Sequence, residues 1–255
     1  MTKDPAPHVA LFVTCLADLF RPSVAFASIA LLEQAGCTVE VPGQQTCCGQ
    51  PGYNSGAVEA SRPIARSVIE TFEPYPYVVL PSGSCAGMLK KHYPALFADD
   101  PDWQQRAQGL AARTWEITSF LSEVLDFQPD NGALTETSVT YHDSCAGLRE
   151  LGIKDQPRTL LARAGVDVTE MQSTDICCGF GGTFCAKMPG LSEKMVADKL
   201  KNATDTGAAM LLGGDLGCLL NIAGRASREA ASLEVRHVVE VLAGRMDGAA
   251  IGEGR

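Results

Sequence analysis

Among the ten cysteines there is no Cys-x-x-Cys pair. That absence removes the redox-disulfide motif of the thioredoxin type and the two-knuckle pattern of structural zinc sites. Nor is there a run of basic side chains. With 21 Lys and Arg against 30 Asp and Glu the net charge is −9, which argues against nucleic acid as a main partner, because phosphate contacts need clustered cations. The acidity itself is read as a solubility feature. No stretch approaches the ~20 apolar residues of a membrane-spanning helix, so no transmembrane segment is expected. The first apolar run, Val9 to Val13, is too short and too acidic in its surroundings for a secretory leader. A cytoplasmic protein is the expectation. A dinucleotide fingerprint is missing as well, since Gly179, Gly181 and Gly182 are not followed by glycine at position 184, which is Phe. No Ser, His and Asp constellation and no phosphate-cradling loop stands out.

What is present is cysteine in a pattern. A reducing cytoplasm keeps thiols free, so ten cysteines point to metal or redox chemistry rather than to a disulfide framework. The stretch Thr174-Asp175-Ile176-Cys177-Cys178-Gly179-Phe180-Gly181-Gly182 has an echo in Gln45-Thr46-Cys47-Cys48-Gly49-Gln50. Cys15 precedes Cys47 by 32 positions, and Cys145 precedes Cys177 by the same 32. Downstream, Cys85 follows Cys48 by 37 positions and Cys218 follows Cys178 by 40. Eight of the ten cysteines therefore belong to one pattern used twice. The flanks repeat too: Leu31-Leu32-Glu33-Gln34-Ala35-Gly36 matches Leu160-Leu161-Ala162-Arg163-Ala164-Gly165. Self-similarity at a fixed period is the mark of an internal duplication.

Strand-like and helix-like runs alternate in both halves. His8 to Thr14, Cys37 to Val41 and Tyr77 to Leu80 read as strands; Pro22 to Gly36 and Ala57 to Phe72 read as helices. Trp103 to Leu125 reads as one long helix, and Gln128 to Thr135 as the linker. Beyond it, Val139 to His142, Val166 to Met171, Ala208 to Leu212 and Leu233 to Arg236 read as strands, with helices at 158–165, 191–206 and 238–245. The predicted fold class is α/β: two duplicated domains, each a small parallel sheet flanked by helices. The expected bounds are 1–130 and 136–247, with a disordered tail at 248–255. In such sheets the loops after the strands gather at the carboxyl edge, and that edge is where every cysteine of the pattern would fall.

Four thiolates are the usual holders of an iron-sulfur cluster. A cluster so held is negatively charged, and glycine-rich turns bring backbone N–H groups to it. Gly49, Gly179 and Gly181 are the candidate positions for that close approach. Structural zinc and buried apolar cysteines remain as alternatives. Cys37, opening an apolar strand, reads as a core thiol. Cys185 is either an extra thiolate or an inert one. His142, three residues before Cys145, either tunes or protonates a cluster or is a structural histidine.

These residues resemble the cysteine-rich CCG domain of the heterodisulfide reductases and their relatives. The chain is still more similar to the lactate-utilisation protein A family, through Leu11 to Leu16, Cys47 to Pro51, Tyr53 to Gly56, Pro81 to Cys85, Cys177 to Phe184 and Gly217 to Ile222. The resemblance implies an iron-sulfur electron-transfer subunit of a cytoplasmic three-protein system oxidising L-lactate to pyruvate, rather than a complete enzyme. Its partners would be the other subunits, among them a ferredoxin-like iron-sulfur protein. The ligand candidates are Cys15, Cys47, Cys48 and Cys85 in one half and Cys145, Cys177, Cys178 and Cys218 in the other, for one or two clusters. The heterodisulfide reductase motif carries a fifth cysteine, where this chain has Met88 and Asn221. Four thiols per half suit a [4Fe-4S] cluster. Two other readings stay open: a reductase acting on a disulfide or heterodisulfide at the cluster itself, and a metal-binding scaffold with no redox role.

Overall fold

The computed structural model describes residues 6–129 and 137–253. The first half begins with β1 (His8–Leu11), α1 (Cys15–Phe20), α2 (Pro22–Gln34), β2 (Thr38–Glu40), α3 (Gln50–Asn54), α4 (Val58–Phe72) and β3 (Tyr77–Leu80). A helical stretch follows, α5 (Gly83–Gly87) running through a π-helical turn at Met88–His92 into α6 (Tyr93–Leu96). Then come α7 (Pro101–Arg113), β4 (Thr114–Glu116) and α8 (Ile117–Ser119), which continues as a π-helical turn at Phe120–Val124. The second half has β5 (Val139–His142), α9 (Cys145–Leu151), α10 (Asp155–Arg163), α11 (Phe184–Lys187) and α12 (Pro189–Thr204), then β6 (Met210–Gly213), α13 (Leu216–Arg228), β7 (Glu234–His237) and α14 (Val238–Leu242).

Two parallel sheets result, ordered β2-β1-β3-β4 and β5-β6-β7. Their central strands are apolar and buried: Val78, Val79 and Leu80 in β3, Met210, Leu211 and Leu212 in β6. Strands covered on both faces by crossover helices need such continuous apolar runs. The duplicated Leu-Leu-x-x-Ala-Gly flanks do the same job twice. The paired leucines are buried, while Gly36 (φ +86°) and Gly165 (φ +77°) take the left-handed conformation that ends a helix.

Three expectations need correction. The long helix over 103–125 is broken at Arg113, and Thr114–Glu116 forms a fourth strand paired to β3. Three residues are too few to disturb a helical apolar periodicity carried by the segments on either side. The strand over Val166–Met171 is reduced to one bridge, Val139 to Val168; Asp167, Thr169 and Glu170 are exposed along this edge and leave it half-solvated. In the tail after Asp247, Ala250 and Ile251 are buried, and the Ile251 N–H donates to Val235 O at 2.9 Å. The linker over 128–135 lies, apart from Gln128 and Pro129, outside the described residues. Among the described residues no helix is long and apolar enough to cross a membrane.

The halves pack closely. Helices α5 and α9 meet at two glycines, where a Cβ on Gly83 would stand 3.0 Å from Gly147 Cα. Arg21 pairs with Glu240 at 2.8 Å, Ser55 and Thr183 share a hydrogen bond of 2.7 Å, and Pro81 O lies 3.2 Å from His237 Nε2.

Candidate metal centre

Each half delivers its thiols in the same way. Cys15 and Cys145 are the first residues of α1 and α9, while Cys85 and Cys218 are the third residues of α5 and α13. Side chains cap two of these helix starts, and an acidic residue stands at the start of a third. Ser82 accepts from the Cys85 N–H at 3.2 Å, Ser144 accepts from the Gly147 N–H at 3.3 Å, and Asp215 occupies the cap position of α13. The cysteine pairs come in on loops. At Gly49 (φ +80°) and Gly179 (φ +79°) the backbone turns left-handed, and each glycine N–H donates to the first sulfur of its pair, Cys47 or Cys177, at 3.4 Å. Gly49 and Gly179 thus bring backbone N–H groups to sulfur. Gly181 (φ +52°) shapes the same loop, since a Cβ there would lie 2.7 Å from Phe184 Cβ.

All eight thiols converge as two fours. Cys15 Sγ is 3.7 Å from Cys47 Sγ, and Cys48 Sγ is 3.3 Å from Cys85 Sγ. In the second half Cys145, Cys177, Cys178 and Cys218 line one cavity, with the Sγ atoms of Cys178 and Cys218 within 4.8 Å of one another. None of the ten cysteines is in a disulfide. The hydrogen bond from Cys15 pulls the Cys47 thiol strongly down, and that from Cys145 does the same for Cys177. Their partners Cys15 and Cys145 are pushed up, first by that same bond and then by burial. One thiol in each four is thus poised as a thiolate, and ionising the rest in so small a space requires a cation among them.

Room for one exists beside each set. A cavity of about 180 Å³ adjoins the first four thiols, and one of about 120 Å³ adjoins the second. Given a liquid-volume share of about 30 Å³ per water, either space accommodates several atoms rather than a lone ion. The donor set and the space together fit a metal-sulfur group, which would be held by Cys15, Cys47, Cys48 and Cys85 and by Cys145, Cys177, Cys178 and Cys218. Each cavity is partly walled by the opposite half: Phe180 and Thr183 line the first, Gln50 and Asn54 the second. Asp215 lines both. Its Oδ2 accepts from the Ser84 N–H at 2.8 Å and from Ser82 Oγ at 3.4 Å, and burial raises its pKa.

The positions of the missing fifth thiol have other work. Met88 is fully buried in the first core. Asn221 Nδ2 donates to Cys178 O at 2.8 Å, and in the first half Tyr93 donates to Cys48 O at the same 2.8 Å. Two different side chains thus brace the second cysteine of each pair. Cys37 is a core thiol, pushed up to about 11 by burial. Cys185 donates to Gly182 O at 3.4 Å and lines a separate cavity with Asn221 and Arg225.

Two further groups lie against the second site. His142 ends β5, buried, with a ring nitrogen, Cys178 Sγ and Cys218 Sγ all within 4.8 Å of one another. Burial, helped by the nearby Lys199 charge, pulls the His142 imidazole down to about 3. Lys199 is itself buried in α12, donating to Thr174 O at 2.9 Å and Ser173 O at 3.4 Å. Sequence reasoning passed over Lys199, because a lysine in an amphipathic helix ordinarily faces water.

A model of the CCG cysteine-rich domain matches residues 9–90 and again residues 139–223. Lactate utilization protein A of Shouchella clausii is 48% identical over 236 residues, 92% of this chain and 98% of that protein. The chain belongs to the lactate utilization protein A family of CCG cysteine-rich proteins. Another member, from Bacillus licheniformis, is 49% identical over 238 residues, 93% of this chain and 99% of that protein. The two family segments end just beyond Cys85 and Cys218, so each contains one complete set of four thiols.

Proposed function

We propose that this protein is an iron-sulfur electron-transfer subunit of a cytoplasmic complex that oxidises L-lactate to pyruvate. One observation carries the reading: two four-thiol sites, each with space for more than a single ion, sit at the sheet edges of a duplicated fold and share one buried wall at Asp215. The lactate assignment comes from the name that the family members bear. One or two clusters of the [4Fe-4S] type are the proposed cofactors, supplying one-electron steps when bound. Oxidising lactate to pyruvate releases two electrons and two protons, and a chain with two adjacent one-electron sites suits that delivery. The protein's own groups hold the sulfurs, wall each half's site with residues of the other half, and keep backbone N–H groups on Cys47 and Cys177.

Under this proposal the chain is a subunit rather than a complete enzyme, built of domains at 1–130 and 136–247. Its partners are the other subunits of the system, among them a ferredoxin-like iron-sulfur protein. Anaerobic reconstitution followed by iron and sulfide analysis and EPR is the test. Iron and sulfide in equal amounts, with a signal that appears on reduction, is the expected result. Uptake of one tight, redox-silent zinc per half, and no iron, overturns it. Co-purification with the neighbouring gene products tests the partnership.

A further inference from the structure

The second site has a potential donor that the first lacks. His142 stands three residues before Cys145, and the residue three before Cys15 is Phe12. Phe12 packs edge-on against Phe72, with ring centroids 5.1 Å apart, as an ordinary core side chain. His142 is equally buried at 1% exposure, yet neither of its ring nitrogens has a hydrogen-bond partner. Buried polar groups in folded proteins are nearly always paired, and an orphan calls for an explanation. Its surroundings supply one. A ring nitrogen lies within 4.8 Å of both Cys178 Sγ and Cys218 Sγ, near enough for the three to be drawn onto one metal ion.

We propose that His142 is a nitrogen ligand of the metal centre in the second half, making that site a mixed imidazole–thiolate centre beside an all-thiolate one. The proposal rests on the second site holding a metal. Imidazole is a good ligand for iron and zinc alike, and replacing thiolate by imidazole raises a cluster's potential. The second half would then offer five donors, four sulfurs and one nitrogen. The thiol missing at Asn221 is made up from β5 instead of from α13. Because the neutral ring carries no charge, the nitrogen adds a donor without adding to the repulsion among the thiolates.

The test is pulsed EPR on the reconstituted, reduced full-length chain, with and without ¹⁵N-labelled histidine. Strong nitrogen coupling that changes with the label is expected in wild type, and its loss is expected in His142→Phe, which copies the first half. His142→Cys should restore full metal content without the nitrogen coupling. In both variants the midpoint potential of one centre should shift, downward in His142→Cys, while the other stays in place. Absence of histidine coupling in wild type, or its persistence in His142→Phe, overturns the proposal. If the chain takes up zinc and no iron, the electron-transfer reading fails, and X-ray absorption on the zinc form still decides the ligand. A nitrogen in the zinc shell that disappears in His142→Phe supports His142 ligation; an all-sulfur shell in wild type refutes it.

Discussion

The two halves hold their sulfurs alike and surround them differently. Around the first four thiols the protein is apolar and aromatic: Phe12, Met88 and Tyr93 are all buried there. Around the second four, His142 and the buried cation Lys199 stand close to the sulfurs, and Asn221 does the bracing that Tyr93 does in the first. Duplication has kept the parts that deliver thiols and varied the wall. Since hydrogen bonds, net charge and burial set the potential of an iron-sulfur centre, two sites with one thiol geometry and two walls are expected to differ in potential.

The largest effects should come from breaking the shared part. Cys47→Ser and Cys177→Ser each remove the one sulfur that is strongly biased towards the thiolate and that receives a glycine N–H. Each should abolish metal binding in its own half and leave the other intact. Iron analysis should show roughly half the wild-type content for either single variant and none for the double, because metal binding depends on deprotonated ligands. Equal and complete loss in both single variants would show that the halves load as one unit.

A smaller effect separates the glycines. Gly49 and Gly179 share their left-handed backbone, so alanine costs about 1–2 kcal/mol at either through that conformation alone. Their neighbours differ: an added Cβ lies 3.4 Å from Ile64 Cγ2 at Gly49, but 2.7 Å from the backbone oxygen of Ser192 at Gly179. Gly179→Ala must therefore move α12 and should lower the melting temperature distinctly more than Gly49→Ala.

Much of this was visible in the residues alone. The equal spacing of 32 between Cys15 and Cys47 and between Cys145 and Cys177, with the strand-like runs before them, placed eight thiols at the sheet edges, and the structure gathers them there. The short strand Thr114–Glu116 stayed hidden because its neighbours on both sides are helical in pattern. The helices opening at Cys15, Cys85, Cys145 and Cys218 were also missed, although Ser82, Ser144 and Asp215 hinted at helix caps. Lys199 and Tyr93 could not be read from sequence, since their roles depend on which helix face turns inward.

A comparable pair of positions tests electrostatics away from the sulfurs. Glu116 ends β4 and His237 ends β7, and each caps the helix that follows. Burial raises Glu116 from 4.5 to about 7 and lowers His237 from 6.5 to about 4. A raised carboxyl contributes stability that is complete below about pH 4.5 and lost as pH rises through 7. A depressed histidine contributes stability that is complete above about pH 6.5 and lost as pH falls towards 4. The two trends oppose one another across the same window, each spanning about 3 kcal/mol at 1.36 kcal/mol per pH unit. Glu116→Gln removes one of them, so denaturant melts of the variant should lose stability more steeply than wild type between pH 7 and pH 5. His237→Gln should tilt the difference the other way.

The smallest expected change isolates the wall of the second site. Lys199 is held by two backbone carbonyls and lies near Cys178 and Cys218, so its charge favours whichever state of a bound centre is more negative. Lys199→Met keeps much of the packing volume and removes that charge. Burial lowers the Lys199 pKa from its ordinary value. A change of about 1.4 kcal/mol corresponds to about 59 mV for one electron, and a downward shift of that order is expected at one centre only. Redox titration by EPR distinguishes the outcomes: a shift in one potential ties Lys199 to the second half, whereas equal shifts in both would mean that the charge is felt across Asp215 and that the two sites are electrically one.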